Sequence, residues 1–362
     1  MILGEITQAR LNSLVKDHEL WLSDNSQGQQ LILNSFDLSG MTLKGNISWA
    51  TFIDCDFSHT TFANLQMDRV VFNECNFSFG LWRSCKATEI IDFNKCTAKN
   101  TLTIIGCQFG DLDFEDSEFN NLTLRTVDTG VFSITNSSFP NLVWEKAKIL
   151  EFELVNVNLK DGSYSEVYIT YFTVNNVYFN NSSFNGGRVE NNLIDKMDFT
   201  GVSIEDFYFI GVGTSSMFKN VTFSEVILNN FSLSGSNVLI NCDFTNASIN
   251  NTSFTKATMK RCDFSSVKLL KNVNFIGSKA YKSIFSGLTL ENINFTEAHL
   301  SKVDFTNAIF INVNFHNSDL TVSNLSGATL NDAVFEGASL SGATFPQGQI
   351  CIPGSVGTCA PR

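Results

Sequence analysis

Large apolar residues recur at every fifth position through most of the chain. Ile134, Phe139, Trp144, Ile149, Leu154, Leu159, Tyr164, Ile169, Val174, Phe179, Phe184, Val189, Ile194, Phe199, Ile204 and Phe209 form one unbroken run. With 43% of residues hydrophobic, such a run arises by chance from about one starting phase in a million. A second run extends from Phe275 to Phe345. Shorter ones cover Leu33 to Leu43, Phe52 to Trp82, Phe109 to Leu124, Phe218 to Leu233 and Phe244 to Leu269. A period of five matches neither the 3.6 of a helix nor the 2 of a strand. It matches a coil with four sides of five residues each. Phe132, Phe152 and Phe172 repeat at twenty, as do Cys55 with Cys75 and Cys242 with Cys262, so each coil sets like residues above like.

Calling the large residue the centre, the position two before it is small in the last run, as at Ala298, Val303, Ala308 and Val313. Asp or Asn lies between, as at Asn294, Asp304 and Asn314, and Ser, Thr, Gly or Glu tends to follow. The resulting A-(D/N)-(L/F)-(S/T)-x pattern resembles the pentapeptide repeat family over about residues 33–345. The resemblance implies an all-β fold, a right-handed quadrilateral parallel β-helix. It implies no cofactor and a role in presenting a long surface to a protein partner. Some members of the family mimic DNA and protect type II topoisomerases, so DNA gyrase or topoisomerase IV is one candidate partner. Others are injected by bacterial pathogens as effectors. Members also pair end to end through the last coil, which makes a homodimer a further expectation.

Both ends of the repeat need caps, because an open coil exposes apolar surface and unpaired backbone. Over residues 7–22, Leu11, Leu14, Val15, His18 and Leu22 fall at helical spacing, which predicts a short N-terminal capping helix. Residues 1–32 are thus a cap and lead-in, 33–345 the β-helix and 346–362 a tail lying over the last coil. The pattern weakens between Ala87 and Phe109. It slips at Phe209–Phe218, Leu233–Phe244 and Leu269–Phe275, which predicts small bulges at corners.

Catalysis is not expected. His18, His59, His299 and His316 are scattered, and no P-loop, G-x-G-x-x-G, H-E-x-x-H or G-x-S-x-G occurs. A side of five residues spans under about 17 Å, and Phe and Leu from four sides fill that space. Cys55, Cys75, Cys107, Cys242 and Cys262 occupy the pre-centre position, where Cys serves as a small apolar filler. Cys351 and Cys359 lie outside the repeat and pair only under oxidising conditions. The Asn-x-Ser/Thr sequons at Asn220, Asn246, Asn251 and Asn294 follow from the repeat itself.

Charge refines the picture. The formal net charge is −12, which excludes a general nucleic-acid binder. Residues 1–120 carry 16 acidic and 8 basic side chains, and residues 241–362 carry 8 and 9. Asp111, Asp113, Glu115, Asp116 and Glu118 avoid the inward positions and form a candidate acidic docking patch. Lys256, Lys260, Arg261, Lys268, Lys271, Lys279 and Lys282 form a candidate basic patch. No signal sequence and no run of eighteen apolar residues is seen. The expected location is cytoplasmic, although secretion by a specialised bacterial system leaves no mark on these criteria.

Overall fold

The computed structural model describes residues 3–190, 192–210, 217–233, 235 and 237–360. The chain divides into two compact units, Met1–Tyr178 and Phe179–Arg362. Each is built of short parallel strands wound into a four-sided β-solenoid. In the first unit Phe52, Phe57, Phe62 and Met67 face inward from four successive sides, all fully buried. Phe72 then returns directly above Phe52. The column continues through Phe93, Phe114, Ile134, Leu154 and Val174.

Each letter of the five-residue pattern has a structural cause, seen around Phe305. The Asp304 carboxylate accepts the Thr306 N–H at 2.9 Å, tying the turn that follows the centre. Asn307 takes a left-handed φ of 57°, which Asn tolerates better than most residues. The Ala308 N–H then donates to the Phe305 carbonyl at 3.0 Å. A small residue is required at Ala308 because its side chain is fully buried between centres. At Cys55, Cys75, Cys96 and Ser117, which hold that position, the side chain bonds carbonyls of its own coil and of the coil before. Ser117 Oγ, for example, donates to Glu115 at 2.8 Å and Phe93 at 3.0 Å.

The core is columns of stacked rings. In the second unit Phe223, Phe244, Phe264 and Phe285 stack with centroids 4.4–4.8 Å apart. Phe254, Phe275, Phe295, Phe315 and Phe335 form a parallel stack at 4.9–5.2 Å. These distances match the spacing of adjacent strands, about 4.8 Å. The two stacks meet edge to face, as Phe264 and Phe275 do at 89°, the arrangement that ring quadrupoles favour. Corner asparagines form a second ladder outside. The amides of Asn272, Asn292 and Asn312 donate to Asn251, Asn272 and Asn292 at 3.0, 2.8 and 2.9 Å.

The weak stretch between Ala87 and Phe109 resolves into two single insertions. Phe72 pairs with Phe93 and Trp82 with Ile104, one and two residues beyond the twenty-residue repeat. The first insertion bulges at Thr88 and Glu89, whose N–H groups are held by the Asp68 carboxylate. The slip expected at Leu269–Phe275 lies one side earlier. Leu270, not Leu269, pairs with Ile249 and is buried, while Leu269 is exposed. Adjacent leucines offered two phases, and the inserted residue falls after Phe264. The slips at Phe209–Phe218 and Leu233–Phe244 span residues outside the described set.

The expected helix forms over Gln8–Ser23, with Thr7 as its N-cap accepting the Arg10 N–H at 3.2 Å. Leu11, Val15 and His18 are buried, whereas Leu14 and Leu22 are only partly covered. The Gln8 carboxamide pairs with the Thr42 backbone through two bonds of 2.8 Å, acting as a one-residue strand. At the other end the tail adds as an antiparallel edge. Leu340, Gly342 and Phe345 donate to Ser355, Cys351 and Gln349. A Cys351–Cys359 disulfide, with Cα atoms 5.0 Å apart, closes it. This part of the last coil's edge is therefore already paired within the chain.

Candidate interaction surfaces

The acidic residues occupy one side of the first unit and its corner. In the strand Gln108–Glu115, Leu112 and Phe114 point inward, so Asp111, Asp113 and Glu115 alternate outward. Asp116 follows at a left-handed corner, φ 49°, and Glu118 opens the next side. The register extends this side beyond the sequence cluster. Asp113 lies between Asp92 and Ser133, and Ser133 pairs with Glu153. Asp111 lies between Ile90 and Val131, and Val131 pairs with Glu151. Three adjacent outward columns thus carry Asp92, Asp111, Asp113, Glu115, Glu151 and Glu153. No cationic side chain lies in these columns between the coil of Asp92 and the coil of Glu153. Arg69, at the neighbouring corner, is engaged by Glu89 and lies over the Trp49 ring.

Asp92, Glu151 and Glu153 were not singled out from sequence, because they lie 20 to 40 residues from the cluster. Only the second insertion, between Ala98 and Thr103, places Asp92 against Asp113. The crowding has an electrostatic signature. Burial, and then the Asp113 charge, pushes the Asp92 carboxyl above its ordinary range. Asp113 is pushed up as well. Burial is the largest cause and the charges of Asp111 and Glu115 add to it, against a hydrogen bond from Ser133.

The basic residues, contiguous in sequence, do not form one patch. Lys256 sits at one corner, Lys260 and Arg261 reach the next, and Lys268 and Lys271 fall on further sides. Lys271 is neutralised by Glu291 at 2.6 Å. Lys279 and Lys282 return one coil later beside Lys260 and Arg261. The register Asp263–Ile284–Asp304 stacks Arg261, Lys282 and Lys302 at one corner, with Lys302 a member that the sequence cluster had omitted. The Tyr281 ring lies beneath Lys282 and Lys302, 5.4 and 5.6 Å from their Nζ atoms.

The pre-centre cysteines form interior columns. Cys55, Cys75 and Cys96 share one, continued by Ser117 and Ser137, and Cys96 N–H donates to Ser117 Oγ at 3.0 Å. Cys85 and Cys107 share another. Contact with Cys75 and burial push the Cys55 thiol far up, and burial with contact from Cys262 does the same for Cys242. The interior thiols are buried and fill space as small apolar groups. His18 is buried in the N-terminal cap, and His59 stacks on Phe79 at 4.6 Å. Among the described residues no three His, Cys, Asp or Glu side chains form a metal-binding group. No described helix is long and apolar enough to cross a membrane.

Residues 257–335 match the family described as pentapeptide repeat region, and residues 238–269 and 323–349 match pentapeptide repeats in 8 copies. Residues 238–349 of the chain are pentapeptide repeats. Its fold is similar to a pentapeptide repeat protein from the thylakoid lumen of Arabidopsis thaliana, at 19% identity, covering 38% of this chain and 83% of that one with a TM-score of 0.24. It is similar to HetL, involved in heterocyst differentiation regulation in Nostoc sp. strain PCC 7120, at 13% identity, 92% and 96% coverage and a TM-score of 0.17. It is also similar to QnrB1, a plasmid-mediated fluoroquinolone resistance protein, at 14% identity, 73% and 88% coverage and a TM-score of 0.15. No curated protein matches the chain.

Proposed function

We propose that this protein is non-enzymatic and acts by docking its acidic side onto a basic surface of a protein partner. The carrying observation is the three-column face of Asp92, Asp111, Asp113, Glu115, Glu151 and Glu153 with no cation among them. Like charges held one coil apart repel, so the face is kept at a cost to folding. A complementary partner recovers that cost on binding and is steered to the face on approach. Cross-linking capture from the native host tests this. Partners retained by the wild type should be lost by the Glu115→Gln, Glu153→Gln double variant. Equal retention by both proteins rules out the acidic face.

A sharper reading is mimicry of DNA toward DNA gyrase or topoisomerase IV. Six carboxylates over four coils rising about 4.8 Å each give one charge per about 3 Å. A strand of duplex DNA presents one phosphate per about 3.4 Å of axis. Supercoiling and decatenation assays, with and without a fluoroquinolone, decide this reading. Titrating the protein should alter enzyme activity or drug inhibition, and no effect at micromolar concentration excludes mimicry while leaving the broader docking role. Translocation of a reporter fusion into host cells tests the effector alternative.

A further inference from the structure

The stacked cations of the second unit need an explanation of their own. Arg261, Lys282 and Lys302 repeat at one corner, and exposed Lys260 and Lys279 stand beside them. Among the described residues, no carboxylate lies within ion-pair distance of any of the five. The acids nearest in sequence are committed elsewhere. Asp263 and Asp304 accept the N–H groups of Ser265 and Thr306, both at 2.9 Å. Three unneutralised like charges at about 4.8 Å oppose folding. The Tyr281 ring, lying under two of them, supplies only part of the compensation.

We propose that this ridge is a docking surface for a second copy of the same chain, and that it receives the acidic side carrying Asp113, Glu115 and Glu153. Pitch selects this occupant. Ridge and acidic side are both parallel β-solenoid surfaces with the same rise per coil, and the central acidic column runs Asp92, Asp113, Ser133, Glu153. A single file of cations therefore keeps step with this column, two of the three cations facing carboxylates and the third facing Ser133. Duplex phosphates, at about 3.4 Å per strand, fall out of step with the single file within two coils. A polyanion and a second copy at −12 both repel the chain as a whole, but only the copy brings its carboxylates to the cations at the ridge's own rise. The contact is heterologous, with different surfaces on the two copies. It does not use the last coil, and because it occupies the acidic side that the function proposed above offers to a partner, the two contacts compete. Sedimentation of the purified chain reads this one alone.

The test is sedimentation velocity on the full-length protein. The wild type should self-associate at about 20 mM salt, with affinity weakening on the order of tenfold or more by about 500 mM. Lys282→Glu with Lys302→Glu should be monomeric, because it opposes acid to acid. Glu115→Lys with Glu153→Lys should be monomeric because it opposes base to base. An equimolar mixture of the two variants should associate, since the intact acidic side of one meets the intact ridge of the other. Glu115→Gln with Glu153→Gln, which removes charge without inverting it, should lie between wild type and reversal. A wild type that is monomeric at low salt, reversals that associate as the wild type does, or a mixture that stays monomeric would each overturn the proposal. Association through the last coil would show itself as indifference to all of these substitutions.

Discussion

The Leu31 N–H donates to His18 Nδ1 at 3.0 Å, which obliges the imidazole to carry its proton on Nε2. From there it donates to the Ser48 carbonyl at 2.8 Å. One fully buried ring thereby joins the capping helix to the lead-in and the first coils. A second proton on Nδ1 would set donor against donor, in a place where a charge has no water.

The cap should therefore loosen in acid. Burial holds the folded pKa of His18 below its ordinary value, against smaller opposing contributions from the Ser48 carbonyl and Glu19. The unfolded chain then binds the proton more readily. Cap stability is complete above the ordinary imidazole value of about 6.5 and declines as pH falls through it. Trp21 stacks on His18 with centroids 5.5 Å apart, so its fluorescence reports the change. A transition below about pH 6.5 is expected in the wild type and not in His18→Gln. The same acid response in both proteins would show that another group drives it.

Two sets of aspartates should respond to pH in opposite directions. Burial disfavours the Asp68 charge, but bonds from the Thr88 N–H, Gln66, the Thr88 hydroxyl and the Glu89 N–H outweigh it and hold the carboxyl below its usual range. Its stabilisation is present above the unfolded carboxyl value and is lost as pH falls through the lower folded value. Asp92 and Asp113 are raised. Their native forms take up protons first, and stability falls as pH rises through the carboxyl range. At neutral pH, Asp68→Ala should cost about 1–3 kcal/mol, and Asp113→Asn should gain about 0.2–1 kcal/mol. Urea titrations of both variants check the signs. A destabilised Asp113→Asn would mean that its bond with Ser133 outweighs the repulsion.

The repeat was legible because the interior admits one kind of residue at every fifth position, and Phe52, Phe57 and Phe62 are unmistakable. Phase was legible only where centres are large. Ala87 and Ala98 are buried centres too small to stand out, so the two insertions around them blurred into one weak stretch and hid Cys96 from its column. Surface grouping was harder still. A stretch of chain longer than one coil visits all four sides, so Lys256 through Lys282 looked like a patch while wrapping around the solenoid. Conversely, Asp92 and Asp113 are neighbours separated by a full coil. Sites on a solenoid follow columns, and columns become readable only once each insertion is placed.

The insertion at Thr88 and Glu89 also dictates two glycines. A Cβ on Gly110 would lie 2.4 Å from the Thr88 carbonyl oxygen, and one on Gly130 would lie 2.6 Å from the Gly110 oxygen. Both obstacles are backbone, which cannot swing aside. Gly110→Ala should destabilise the first unit by about 1–3 kcal/mol through overpacking, even though Gly110 has no left-handed φ to lose. Denaturation of Gly110→Ala beside Gly106→Ala separates the two causes. Gly106 has φ 61° and open space around its Cβ direction, so its cost is conformational only. A neutral Gly110→Ala would mean that the bulge can shift outward.

The tail should depend on its disulfide while the solenoid does not. Cys351 and Cys359 close a short loop, and such a cross-link restricts the unfolded ensemble by roughly 2–3 kcal/mol in the chain-entropy account. Without it, the antiparallel edge rests on a few backbone bonds from Leu340, Gly342 and Phe345 and on the buried Cys351 and Ser355 side chains. Cys55, Cys75, Cys85, Cys96, Cys107, Cys242 and Cys262 are unpaired and buried, so a reductant has nothing else to break among the described cysteines. Mild reduction should therefore speed proteolytic clipping within residues 346–360 and leave the main unfolding transition in place. Cys351→Ser with Cys359→Ser should reproduce the effect without reductant. A tail equally protected in oxidised and reduced protein would show that the backbone pairing alone secures it. A shifted main transition would show instead that the tail holds the last coil together and stabilises the solenoid beyond it.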